Sequence, residues 1–147
     1  MSVAAGSCSL CDTDGGTVVW RGARLRVVRA DEAGFPAFYR VIWNAHAAEF
    51  SDLGADDRKT CMDAVVAVEE ALRESLRPTK INVASLGNVV PHLHWHVIAR
   101  FAWDSRFPAP VWAPAARETQ LPDLAALEAL LPQAEVAMVQ KLAAVAR

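Results

Sequence analysis

Three of the chain's four histidines fall within five residues: His92, His94 and His96 in the stretch HLHWHVI, separated by Leu93 and Trp95. Side chains two apart on a β-strand share a face. The spacing therefore predicts three imidazoles on one side and Leu93, Trp95 and Val97 on the other. Neutral imidazole is nucleophilic near pH 7, moves protons and binds metals. One metal cannot take all three rings, because at about 3.3 Å of rise per residue the outer Cα atoms stand about 13 Å apart, against metal–nitrogen bonds of about 2 Å. Two of the three can share an ion. An extended ligand with several acceptor oxygens, such as a phosphoric anhydride, suits the whole row better. The plainer alternative is a solvated polar face, which would explain one histidine more readily than three.

A second cluster is Cys8-Ser9-Leu10-Cys11, a C-x-x-C followed by the acidic turn DTDGG. A thioredoxin-like redox pair needs a helix after the motif, so redox use is disfavoured. A zinc half-site is the better reading, with His46 and His92 the further ligands available. Cys61 falls on a buried helical stripe and is expected to be core, where a free cysteine behaves as a small apolar residue.

The elements that must position these groups can be read from the pattern. Residues 17–21 (TVVWR) and 24–29 (RLRVVR) predict a hairpin around Gly22-Ala23, and 38–43 (FYRVIW) a third strand after the loop 31–37. From about Asp56 to Arg77, Cys61, Val65, Val68, Leu72 and Leu76 recur at spacings of three and four beside Arg58, Glu69 and Arg73, which predicts an amphipathic helix ended by Pro78. Strands at 80–86 and 92–101 follow, joined by a short connection. Strands, helix, strands indicates an α+β domain with a mostly antiparallel sheet and a helix on one face. The three prolines of FPAPVWAP (107–114) predict an extended surface segment. Residues 122–131 and 133–146 predict two helical segments divided by Pro132, with Leu124, Leu127 and Leu131 on one stripe and Met138, Leu142 and Val145 on the other.

Composition narrows the partners. The 147 residues suit one domain, and 53% hydrophobic and 22% charged residues with a formal net charge of -2 argue against disorder and against a polyanion-binding surface. An odd cysteine count with two so close together does not make a secreted disulfide framework, so a reducing cytoplasm is expected. The N-terminal residues lack a basic start and a long apolar core, so no export signal is expected, and no apolar run is long enough to predict a membrane span.

HLHWHVI resembles the His-φ-His-φ-His-φ-φ signature of the histidine triad (HIT) family of nucleotide hydrolases and transferases. LGN with VVP looks like the family's lead-in to that signature, and VIWNAH with FSDL stands where members carry Val-Ile-Pro-Lys-x-His and a later Asp-Leu. The resemblance covers roughly residues 8–112. It implies a HIT-like fold with about five strands, a covering helix and, here, a C-terminal helical tail at about 121–146, with 1–147 as a single HIT domain.

By that resemblance His94 is the nucleophile, attacking the α-phosphorus of a nucleotide to form a nucleotidyl-histidine that water hydrolyses. His96 contacts the phosphate and departing group, and Asn88 stands at the family's Gln beside the phosphate. Asn82 stands near an Asn/Gln position, and Asp31 resembles the ribose-binding residue; in each case the loop is one residue short. Trp112 resembles a tryptophan by which the chain after the triad reaches the partner's site in family homodimers. Zinc-bearing members use an N-terminal C-x-x-C, the histidine after the third strand and the first triad histidine, which map to Cys8, Cys11, His46 and His92. Four protein ligands would make that zinc structural, and no organic cofactor is implied.

Four positions depart from the family pattern. Val89 replaces a Ser or Thr whose hydroxyl helps the leaving group, and Ser85 is the candidate substitute. Trp43-Asn44 replaces Pro-Lys, and Phe38 replaces a histidine. The expected function is cleavage of a phosphoanhydride or phosphoramidate at the α-phosphate, as in dinucleoside polyphosphate hydrolysis. The alternatives are nucleotidyl transfer to an acceptor other than water, and a zinc-stabilised nucleotide-binding module with little catalysis.

Overall fold

β-Branched residues dominate Thr17–Arg21 (β1) and Leu25–Arg29 (β2), which fold back on one another as the expected hairpin, with a bulge between Val18 and Trp20. In this computed structural model, which describes residues 7–145, β2 pairs with Phe38–Trp43 (β3), β3 with His94–Arg100 (β5), and β5 with Lys80–Ala84 (β4). All pairings are antiparallel, and the strand order is β1-β2-β3-β5-β4. One short helical turn, Ser9–Asp12 (α1), precedes the sheet.

The long helix Ala55–Leu76 (α2) matches its expected span to within a residue at each end, and Cys61, Val65, Val68, Leu72 and Leu76 are all buried. They pack on the sheet face formed by Leu25, Val27, Tyr39, Val41, Leu93 and Val97. Arg77 closes the helix in a left-handed conformation (φ 49°), so the residue before Pro78 leaves helical angles as expected.

Three expectations are corrected. Pro132 does not divide the C-terminal segment, because Leu121–Val145 is one continuous helix (α3) with the proline inside it. An interior proline removes one backbone hydrogen bond and costs about 3 kcal/mol. Leu127 and Leu131 before it and Ala134, Met138 and Leu142 after it all enter the same core against α2, so packing on both sides carries the helix through. Val145, expected on that stripe, is exposed, and residue 146 lies outside the described residues. The segment 107–114 is not extended: it turns back on itself from a cis Phe107–Pro108 bond and buries Val111 with Ala30, Phe35, Phe38 and Ile98.

Both α2 and α3 cover the same sheet face. The opposite face carries Phe38, Arg40 and Ile42 of β3 beside His94, His96 and Ile98 of β5, and it is covered by the α1 segment and by residues 85–91 and 107–112. Among the described residues no helix is long and apolar enough to cross a membrane.

Candidate functional site

The histidine row divides where the strand begins. His94 opens β5, opposite Ile42, whereas His92 lies before it. His92 Nε2 stands 2.6 Å from the Trp43 carbonyl. A carbonyl only accepts, so Nε2 carries the hydrogen and Nδ1 presents its lone pair. His94 is wired in the reverse sense: Nδ1 donates to the His92 carbonyl at 2.6 Å, so Nε2 is the nitrogen left outside that bond. Leu93, Trp95 and Val97 face the core, as the alternation predicts.

His94 and His96 line a cavity of about 590 Å³ with Arg40, Asn88, Trp112 and Glu32 among its walls. Both rings are buried and meet edge to face, with centroids 5.0 Å apart. His96 is also enclosed by Phe38 at 5.3 Å and Trp112 at 5.4 Å. That burial, with Coulomb repulsion from the neighbouring His94 and from Arg40 added, pushes its pKa down to about 4, so the ring is neutral at pH 7. Its Nδ1 is buried with no hydrogen-bond partner among the described residues. A buried polar atom left unpaired at a cavity wall is one that a bound ligand can satisfy.

On the other side of His92, the donor atoms of Cys8, Cys11, His46 and His92 all lie within 4.8 Å of one another. His92 Nδ1 is 3.3 Å from Cys8 Sγ, 3.5 Å from Cys11 Sγ and 3.3 Å from His46 Nδ1, and Cys11 Sγ is 3.3 Å from His46 Nδ1. A tetrahedral ion with bonds of about 2.0–2.3 Å keeps its ligands roughly 3.3–3.8 Å apart. Two sulfurs and two imidazole nitrogens at this spacing have the chemistry and geometry to hold one metal ion. Among the described residues the three cysteines form no disulfide, and Cys61 is core, its thiol pushed up to about 11 by burial.

The cysteine segment is held in place by Arg26. Its guanidinium, buried on β2, donates to the carbonyls of Leu10 (2.7 Å), Thr13 (3.1 Å) and Asp14 (2.9 Å) and to the Asn44 side chain (3.0 Å). Gly15 lets the segment come down onto the sheet, since its φ is +83° and a Cβ there would sit 2.7 Å from Leu10.

Of the residues expected to touch substrate, His94, His96, Asn88 and Trp112 meet in the cavity, and Trp112 covers its own chain's His96. Three do not line it. Asp31 lies on a different cavity beside α3, while its neighbour Glu32 enters this one. Asn82 spends its amide oxygen on Arg100, which is itself paired with buried Asp104. The Ser85 hydroxyl donates to the His94 carbonyl at 2.8 Å and so braces the strand from behind. Val89 is 93% exposed at the rim.

Sequence reading missed Arg40 and Arg26. The signal was available for both, because alternation along β3 and β2 sets them on the face away from the helices.

Comparison with curated proteins returns no match. Among solved structures, a histidine triad protein from Bradyrhizobium japonicum is 25% identical, with 88% of this chain and 92% of that one covered and a TM-score of 0.69. A Zn-bound histidine triad family protein from Mycobacterium smegmatis shares the fold at 16% identity (96% and 99% covered, TM-score 0.64). So does a hypothetical histidine triad nucleotide-binding protein from Sulfolobus tokodaii at 15% identity (89% and 91% covered, TM-score 0.63). The family description "HIT domain" matches residues 15–103. With the match running from the β1 hairpin through all five strands to just past the triad, this chain belongs to the HIT family.

Proposed function

We propose that this chain is a nucleotide hydrolase that cleaves its substrate at the α-phosphate through a nucleotidyl-His94 intermediate. The observation that carries the reading is the hydrogen bond of His94: its Nδ1–H is committed to the His92 carbonyl, which makes Nε2 the nitrogen available to the substrate. Attack forms an Nε2–P bond while the bond from phosphorus to the leaving group breaks. Water then cleaves the phosphoramidate and restores the imidazole. His96, neutral and adjacent, faces the phosphate and the departing group, and the Asn88 amide is a neutral partner for a phosphate oxygen. Holding these groups fixed before substrate arrives is how such a site lowers the barrier.

In this reading Cys8, Cys11, His46 and His92 hold a structural zinc. Four protein ligands would close the sphere of such an ion, so its role would be to tie the α1 segment to the start of β5 and not to activate water. Because the His94 Nδ1 acceptor is the His92 carbonyl, the ion also fixes the residue that sets the nucleophile's tautomer. The chain acts as a single HIT domain in the cytoplasm, where the thiols stay reduced, and forms a homodimer. Sedimentation should give twice the chain mass.

The test is covalent. With an activated nucleotide substrate, intact-protein mass spectrometry after an acid-free quench should find a nucleotide adduct on His96→Ala and none on His94→Ala. Turnover by His94→Ala should fall by on the order of a thousandfold or more. An adduct on His94→Ala, or full turnover by it, would sink the mechanism. Binding without turnover by the wild-type chain would favour a nucleotide-binding module.

A further inference from the structure

We infer that Arg40 reads the negative charge of a phosphate leaving group and so sets this site for phosphoric anhydrides over phosphoramidates; the inference rests on the reading of the site just given. Arg40 is the one lysine or arginine among the described residues that line the histidine cavity. In the β3–β5 register it is the direct partner of His96, two residues along β5 from His94. Cα atoms directly opposed in an antiparallel pair lie about 4.5–5.5 Å apart. Since His96 attends the departing group, its strand partner stands at the same end of the reaction.

The guanidinium is half-buried and largely uncommitted. It donates to the Gly15 carbonyl at 3.1 Å and lies 5.6 Å over the Phe38 ring, and its other donors have no partner among the described residues. The other four strand arginines are spoken for. Arg21 pairs with Asp14, Arg29 with Glu135 and Arg100 with Asp104, and Arg26 clamps the cysteine segment. Glu32, exposed on the same cavity, is the acidic group whose field reaches Arg40, and it is not within ion-pair distance. A desolvated arginine with unused donors on a cavity wall is matched to a phosphate, which it can grip through two parallel hydrogen bonds.

The chemistry of departure points the same way. When Nε2 of His94 attacks an anhydride, the α-phosphorus–oxygen bond breaks and the bridging oxygen leaves with its electron pair as a phosphate anion, whose last pKa is about 6. No proton is needed, and the new charge falls beside a cation. When a phosphoramidate is attacked, the P–N bond breaks and the nitrogen must gain a proton before it departs as an amine. The site is poorly supplied with one: residue 89 is valine, the Ser85 hydroxyl is bonded to the His94 carbonyl, and His96 is enclosed by Phe38 and Trp112.

The experiment compares kcat/KM for diadenosine tetraphosphate and for adenosine 5′-phosphoramidate in the wild type, Arg40→Gln and Arg40→Lys. The wild type should favour the anhydride. That preference should drop by about tenfold or more in Arg40→Gln, the scale of one charge-assisted contact, and partly return in Arg40→Lys. A preference that Arg40→Gln leaves unchanged overturns the inference, whatever happens to the two rates separately. A second arm needs no turnover. Calorimetric titration with inorganic tripolyphosphate should show at least tenfold weaker binding to Arg40→Gln than to wild type, and equal binding overturns the inference. If the wild type turns over neither nucleotide, the hydrolase reading fails and the titration alone decides the anion site. Should Arg40→Gln not fold, Glu32→Gln decides: tripolyphosphate should bind more tightly once the opposing carboxylate is gone, and unchanged or weaker binding overturns the proposal.

Discussion

His92 and His94 are the same residue type two positions apart, yet they face different chemistry because backbone carbonyls take opposite nitrogens. The Trp43 carbonyl takes Nε2 of His92 and turns Nδ1 toward two cysteines and His46. The His92 carbonyl takes Nδ1 of His94 and turns Nε2 toward the cavity. Residue identity thus supplies a ring able to do either task, and one hydrogen bond selects which nitrogen is available. The two sites are also in series, since the metal-side histidine provides the carbonyl that orients the cavity-side one.

The strongest way to break this comparison is to remove each ring in turn. His94→Ala should lose turnover by the large factor already given while keeping its metal and its melting temperature to within a few degrees. His92→Ala should do the reverse first, losing the metal, expected at about one ion per chain in the wild type, and with it several kcal/mol of stability. Equal loss of metal from both variants would show that the two rings are not separate in function.

Arg26→Met attacks the metal side without touching a ligand. It strips the donors from three carbonyls, at about 1–3 kcal/mol for each group left buried and unpaired, and should lower metal affinity as the cysteine segment loosens. Unchanged metal affinity would mean that α1 needs no clamp.

Acid sharpens the cavity side. His96 titrates at about 4 in the folded chain against an ordinary 6.5. Between those values the unfolded chain binds a proton that the folded ring refuses. The ring's contribution is therefore intact above pH 6.5 and is lost as pH falls toward 4, about 3 kcal/mol in all. Chemical denaturation across this window should show a shallower acid loss in His96→Phe than in wild type. Parallel curves would show that His96 is not held neutral.

The smallest effect belongs to Ser85→Ala. It removes one hydrogen bond to the His94 carbonyl and should cost about 1 kcal/mol of stability with a modest fall in kcat. A fall comparable to that of His94→Ala would return Ser85 to the leaving group.

Much of this protein was legible in its residues. Alternation placed Leu93, Trp95 and Val97 in the core and His94 and His96 opposite, and the spacing along α2 named its buried stripe. These patterns are local, since side-chain direction follows from backbone period alone. The motif also named Cys8, Cys11, His46 and His92, whose donor atoms the fold brings together across 84 positions of sequence. What local pattern misjudged was Pro132, because a proline's cost is a property of one residue while the burial that outweighs it comes from α2. The same limit moved Asp31, Asn82 and Ser85 away from the cavity, since a loop's path and a hydroxyl's partner depend on what packs beside them. The sequence by itself determined which rings, thiols and cations are present and which share a strand face. Only the tertiary structure decided which nitrogen of each ring is free and which arginine keeps unspent donors, because those follow from carbonyls and carboxylates that distant segments deliver.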